Sequence, residues 1–177
     1  MDYIYHYSSP LGGITLASDG ESLTGLWFDR RKYYVDTLTS EHEGRTLPIF
    51  SDTVKWLDLY FSKKAPDFTP KLSMRTTPFR QAVWEIMLTI PYGKTMTYSE
   101  ISARIAQQRG LTKMSAQAVG SAVGHNAISL IIPCHRVVGK SGSLTGYAGG
   151  IYKKKQLLTL EGVDFEKLWI PSEGTAL

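Results

Sequence analysis

The stretch Leu130-Ile131-Ile132-Pro133-Cys134-His135-Arg136-Val137-Val138 sets the one cysteine of 177 residues between two apolar runs. Its flanks predict an extended, apolar strand from Ile131 to Val138, around which the rest of the chain is mounted. Cysteine as thiolate is the strongest nucleophile among ordinary side chains, and an imidazole and a guanidinium are neighbours that favour that form. A lone cysteine in an apolar segment serves equally well as a small buried hydrophobe. The Cys-His-Arg run tilts the reading toward chemistry, because charged groups seldom pass through the middle of a core strand.

Working outward, 42% hydrophobic content over this length is enough for a core without cross-links, in one domain or two small ones. One cysteine excludes an internal disulfide. The four histidines at 6, 42, 125 and 135 show no ligand spacing, so no metal is expected. The start, Met1-Asp2-Tyr3-Ile4-Tyr5-His6, lacks the basic flank of a signal peptide, and no window approaches the roughly 18 apolar residues of a membrane span. A soluble, cytoplasmic protein with no membrane partner is expected, its thiol kept reduced. The net charge of +4 is unevenly spread: residues 1–74 carry 8 Lys/Arg against 10 Asp/Glu, and residues 75–177 carry 12 against 6. A polyanion partner, if there is one, meets the second half.

The first third reads as β-hairpins, Tyr3 to Ser8, Gly13 to Ser18 and Leu23 to Phe28, with turns at Pro10-Leu11-Gly12 and Asp19-Gly20. A helix from Asp52 to Phe61 presents Val54, Trp56, Leu57, Tyr60 and Phe61 and should cover this sheet. Prolines 66, 70 and 78 mark a linker, with the boundary near Lys71 to Arg75. The expected organisation is α+β: a β-rich supporting domain, 1–74, and a mainly helical domain, 75–177.

In the second half, Phe79, Val83, Ile86, Met87 and Ile90 repeat at three and four behind Pro78, and Pro91-Tyr92-Gly93 ends that helix. Thr97-Tyr98-Ser99-Glu100 is a capping box opening a second helix to about Gln108. After the break at Gly110, Ser115 caps a third helix, Ala116 to His125. Two helices joined by a turn form a helix-turn-helix pattern. The third carries no Lys or Arg and only Gln117 as a bidentate base reader; Ala116, Gly120 and Ser121 make it narrow, suited to a shallow minor groove or to close packing on another helix. Gly139 to Gly150 holds five glycines around Tyr147, a loop that wraps something or simply turns. A last helix, Lys153 to Leu160, stops at Glu161-Gly162, and Trp169 to Leu177 reads as a loose tail.

Pro133-Cys134-His135-Arg136-Val137, preceded by Gly124-His125-Asn126 and followed by Gly146-Tyr147-Ala148-Gly149-Gly150 and by Leu157 to Glu161-Gly162, resembles the O6-alkylguanine-DNA alkyltransferases. The resemblance covers Thr77 to Gly162 with order and spacing kept, and more loosely the first lobe, for which it implies a ribonuclease H-like sheet; it implies a winged-helix-like second domain. It further implies a monomeric repair protein, without cofactor, that binds duplex DNA containing O6-alkylguanine from the minor groove, flips the base and takes the alkyl group irreversibly onto cysteine. Cys134 would be the acceptor, His135 the base acting through a water, Glu161 the orienter of that histidine and Asn126 the hinge before the active-site strand. Tyr98 resembles the tyrosine that helps turn the nucleotide out and protonates the base. Val137 and Ala148 would offer backbone groups to the guanine edge, Tyr147 would wall the pocket, and Lys154 resembles a lysine near the site. Ala116, Gln117, Gly120, Ser121, Ser99 and Arg136 would meet DNA. Taken singly, each except Cys134 has an ordinary structural reading.

Two departures stand out. Gln117 occupies the position where the family commonly carries an arginine that replaces the extruded nucleotide in the stack; glutamine can fill part of that space but has no charge and stacks less well. The turn between Tyr98 and Cys134 is several residues longer than in shorter members, which bears on phosphate contacts around Arg109 and Lys113. Two other functions remain in view: a lesion-sensing or regulatory DNA-binding protein without transfer, and a thiol hydrolase or redox protein resting on Cys134 and His135 alone.

Overall fold

The computed structural model describes residues 1–172, which divide into two units. The first is Met1–Arg75 together with Ala127–Ile131; the second is Thr76–Asn126 and the chain from Ile132 onward. The two expected halves are therefore not contiguous in sequence, because five residues just ahead of the cysteine turn belong to the first unit.

That unit is built on a sheet of order β3-β2-β1-β4, with β1 Asp2–Ser9, β2 Gly12–Ser18, β3 Leu23–Phe28 and β4 His42–Gly44. β1 pairs antiparallel with β2, from Tyr3 opposite Ser18 to Ser9 opposite Gly12, and β2 with β3. The short β4 pairs parallel with β1 and went unread, since His-Glu-Gly has no strand-like alternation. Along β3, the Leu23 amide donates to Lys71 O at 2.8 Å and the Leu26 amide to Ala127 O at 2.8 Å; the Ser129 amide returns a bond to Leu26 O at 2.9 Å. These segments satisfy what would otherwise be an open sheet edge. Helix α1, Pro48–Phe61, buries Ile49, Phe50, Trp56, Leu57 and Tyr60. It begins earlier than the periodicity predicts because its cap, Leu47, makes no side-chain bond and so leaves no Ser, Thr or Asp signal; Pro48 supplies the first-turn geometry. Asp2 is 1% exposed and accepts two bonds from Arg75, at 2.7 and 2.8 Å, which pins the end of the proline-rich segment to the first strand.

The second unit packs α2 Pro78–Met87, α3 Tyr98–Gln108 and α4 Ala116–Gly124 around Val83, Ile86, Met87, Ile101, Ile105, Val119, Ala122 and Val123. Trp84 donates its indole N–H to Ala122 O at 2.8 Å and so locks α2 to α4. The capping box is present: Glu100 N donates to Thr97 Oγ1 at 3.1 Å, and Thr97 N to Glu100 Oε2 at 2.6 Å. Two-residue strands β5 Met96–Thr97 and β6 Val137–Val138 pair in parallel. Behind β6, Val138, Leu144 and Leu158 form an apolar cluster joined by Val163, Phe165 and Leu168; Leu157 and Leu158 belong to α5, Ile151–Leu160.

The strand expected from Ile131 to Val138 is a correction. Only Val137 and Val138 are extended, and Cys134–Arg136 is a 3-10 turn entered from Pro133. Proline withholds the amide a central strand needs, and the turn lifts the thiol out of any ladder. Trp169 is likewise not loose. Its amide donates to Gly142 O at 3.1 Å, while residues 173–177 of the expected tail lie outside the described residues.

Candidate active site and nucleic-acid interface

The site grows from the turn. Asn126, fully buried just after α4, donates Nδ2–H to Ile132 O at 2.7 Å, tying the end of the helix to the residue two before the thiol. Between them Leu130 adopts a left-handed φ of 68°, which a non-glycine residue holds only where its surroundings enforce it. Cys134 then opens the turn, 4% exposed, its amide bonded to Ile132 O at 2.9 Å.

His135 is fully buried, and its Nε2 lies 2.6 Å from Glu161 Oε1. Burial alone would push the Glu161 carboxyl up, but the bonds from His135 and Arg136 outweigh it and hold the group down to about 2. A carboxylate only accepts, so Nε2 carries the proton and Nδ1 the lone pair. Burial also lowers the His135 pKa against the pull of Glu161, so the ring stays neutral. This is the condition in which imidazole accepts a proton.

Arg136 departs from expectation. Read as a DNA contact, it is 8% exposed and spends its guanidinium inside the protein, with Nε 2.9 Å from Glu161 Oε2, Nη2 3.0 Å from Oε1 and Nη1 2.7 Å from Ile90 O. The Gly93 amide donates a further bond to Glu161 Oε2 at 3.0 Å. Sequence reading missed Arg136 and Gly93 as supports of Glu161; Pro91-Tyr92-Gly93 signalled a turn, and nothing in it pointed to a carboxylate 68 residues on.

On the other side of the turn, the fully buried Lys154 donates to the carbonyls of Val137, Thr145 and Gly146, the second at 2.9 Å and the third at 3.3 Å. Burial lowers its pKa to about 8, and a thiolate formed at Cys134 acts the opposite way. Tyr98, the first residue of α3, points its hydroxyl at the same Thr145 and Gly146 carbonyls, 3.4 Å from each. Burial raises the Tyr98 pKa, and a thiolate formed at Cys134 raises it further, so the phenol keeps its proton. The Val137 carbonyl has a second lone pair beyond the one Lys154 uses. The glycine loop turns tightly here: a Cβ on Gly149 would lie 2.8 Å from the Tyr147 ring, and Gly150 has a φ of +93° where α5 begins. Tyr147 is buried against this loop, and Ala148 beside it is half-buried.

The narrow face of α4 is outward. Ala116, Gln117 and Ser121 are exposed, Ser99 is exposed on α3, and a Cβ at Gly120 would meet nothing within 4 Å. Packing falls to Val119, Ala122 and Val123 instead, so the small residues serve an open surface rather than a helix crossing. Arg109 lies over the Phe79 ring, 5.1 Å from its centroid.

A single nucleophile beside a neutral imidazole and its carboxylate, next to an uncharged, exposed helix of a helix-turn-helix, defines a cysteine-centred site on a DNA-binding scaffold. Residues 78–163 match the model of the 6-O-methylguanine DNA methyltransferase DNA-binding domain, and residues 3–74 that of its ribonuclease-like domain. The chain belongs to the 6-O-methylguanine DNA methyltransferase family. It is 43% identical over 159 residues to the methylated-DNA--protein-cysteine methyltransferase of Mycobacterium bovis, covering 88% of this chain and 92% of that one. It is 37% identical to the enzyme of the same name from Haemophilus influenzae, covering 92% and 88%. It resembles the crystal structure of Mycobacterium tuberculosis OGT in complex with DNA with a TM-score of 0.76 and 43% identity, over 90% of this chain and 92% of that one.

Proposed function

We propose that this protein repairs alkylated duplex DNA by moving the alkyl group from O6 of guanine to Cys134 Sγ. The observation that carries the reading is the buried Cys134-His135 turn with Glu161 fixing the imidazole tautomer, in a chain of this family. His135 Nδ1 accepts the thiol proton through a water, and the thiolate attacks the alkyl carbon. An S–C bond forms as the C–O6 bond breaks. Guanine leaves once its ring takes a proton, for which Tyr98, kept protonated by its burial, is the donor. Val137 and Ala148 offer backbone groups to the base edge, Tyr147 walls it, and Lys154 holds β6 and the loop in register. The product is a thioether with no good leaving group, so each molecule acts once.

Ala116, Gln117, Gly120, Ser121 and Ser99 form the DNA-facing surface, with the base extruded from the minor groove. Such a partner puts the protein's place of work at chromosomal DNA, the nucleoid in a prokaryotic cell. Retention of Cys134 in a complete site favours transfer over a lesion sensor without transfer. The test is stoichiometry. Protein incubated with excess duplex bearing O6-methylguanine should gain one methyl mass and then stop; continued turnover, or binding with no mass gain, would refute the proposal.

A further inference from the structure

After α5 the chain folds back on the loop that joins β6 to α5. The Val163 amide donates to Leu158 O at 3.0 Å, and Phe165 and Leu168 then pack on the cluster of Val138, Leu144 and Leu158. Asp164 caps the short turn Phe165–Lys167 by accepting the Glu166 amide at 2.9 Å. Anchored in this way, residues 165–169 run as a strap along the first half of the glycine loop. The Leu144 amide donates to Trp169 O at 2.8 Å, the Trp169 amide to Gly142 O at 3.1 Å and the Trp169 indole N–H to Ser141 O at 3.2 Å. Gly142 sits so close to the strap that a Cβ there would overlap Lys167 O.

This grip has a local reason. Ser141 and Gly142 are both left-handed, with φ of 60° and 84°. Serine holds such a conformation only where its surroundings enforce it, and glycine brings no shape of its own. Trp169 is 50% exposed, so burial does not account for a tryptophan at this point, whereas its bonds to the loop do. Directly after Leu144 come Thr145 and Gly146, whose carbonyls face Lys154 and Tyr98, and then Tyr147 and Ala148. The strap therefore fixes the near half of the loop whose far half frames the site.

We propose that Trp169 is a positioning residue for alkyl transfer: with the strap around it, it holds Ser141–Leu144 and so sets where Tyr147 and Ala148 meet the base. The proposal rests on the transfer reading above and deepens it, extending the working parts past residue 163, where the match to the family's DNA-binding domain stops. A displacement of about 1 Å in groups that orient a substrate can slow reaction by up to roughly a hundredfold, so a loosened loop should register in the rate.

The experiment is single-turnover transfer from O6-methylguanine duplex, resolved into the rate at saturation and the half-saturating concentration. Trp169→Phe removes the indole donor but keeps a ring and both backbone bonds, and should lower the saturated rate about threefold. Gly142→Ala, whose Cβ forces Lys167 off the loop, should lower it about tenfold. In both variants the half-saturating concentration should match wild type, and the Leu144 amide should exchange faster. A merely structural strap would lower the unfolding temperature yet leave the saturated rate, measured well below that temperature, at the wild-type value; that result overturns the proposal. A loss confined to the half-saturating concentration overturns it as well, since the strap would then be a DNA contact. Trp169→Phe alters an exposed side chain, so a wild-type saturated rate in that variant is decisive against the proposal even where Gly142→Ala fails to fold. Wild-type protein that transfers nothing would remove the transfer reading and the strap with it, whereas normal transfer by wild type and both variants removes the strap alone.

Discussion

Glu161→Gln is the sharpest perturbation, because four donors converge on one buried carboxylate: His135 Nε2, Arg136 Nε and Nη2, and the Gly93 amide. A carboxyl brought from an ordinary 4.5 to about 2, net of the burial that opposes it, represents about 3 kcal/mol of native-state stabilisation at neutral pH. The folded-state value lies below the unfolded one, so this contribution is whole above about pH 4.5 and is lost as pH falls through about 2. Gln keeps the volume but leaves the Arg136 guanidinium buried without its counter-charge, a change that costs about 3 to 5 kcal/mol in comparable buried pairs. Gln also presents an N–H that can reverse the imidazole tautomer and remove the lone pair that takes the thiol proton. Urea unfolding at pH 7 should show a loss of about 3 kcal/mol that vanishes near pH 2. Single-turnover transfer from O6-methylguanine duplex should slow by roughly a hundredfold or more. Wild-type transfer in a folded Gln variant would refute the tautomer argument, and an unchanged denaturation midpoint would refute the electrostatic one.

Further outcomes follow from other contacts. Lys154→Met, which keeps the side-chain length but withdraws the donor from three carbonyls, should reduce transfer at least about tenfold, and hydrogen exchange at residues 145–147 should rise; unchanged exchange would show that the lysine does not hold the loop. Because burial lowers the His135 pKa, the unfolded chain binds the proton first as pH falls below 6.5, so stability should decline there; a His135→Gln variant should lack that part of the decline, and parallel curves would contradict it. Arg31→Ala removes the bond to Ser129 Oγ within the first unit and should cost about 1 to 3 kcal/mol, with faster exchange at the Ser129 and Ile131 amides. Gln117→Arg, at an exposed position, should speed lesion processing if extrusion limits the rate; an unchanged single-turnover rate would show that glutamine suffices.

Much of this fold was legible because its devices are local. Hairpin turns, the Thr97-Glu100 box and the Ser115 cap each lie within a few residues of the element they start, and each appears where the pattern placed it. What escaped depends on contacts distant in sequence. Residues 127–129 carry no local mark of sheet pairing, yet they bond to β3, about a hundred positions earlier. Arg136 read as one of the residues that would meet DNA. Its burial follows from Glu161, 25 residues downstream, and from Ile90 O, 46 residues upstream. The apolar run around Cys134 suggested a strand, but Pro133 and the Asn126 tether turn it into a bend that presents the thiol.

The most direct test of the central claim is peptide mapping after incubation with duplex DNA bearing O6-methylguanine. The peptide containing Cys134 should carry one added methyl, in proportion to the lesion consumed, and Cys134→Ala should leave the lesion intact. An unmodified Cys134 under excess lesion, or lesion loss in the Ala variant, would contradict it.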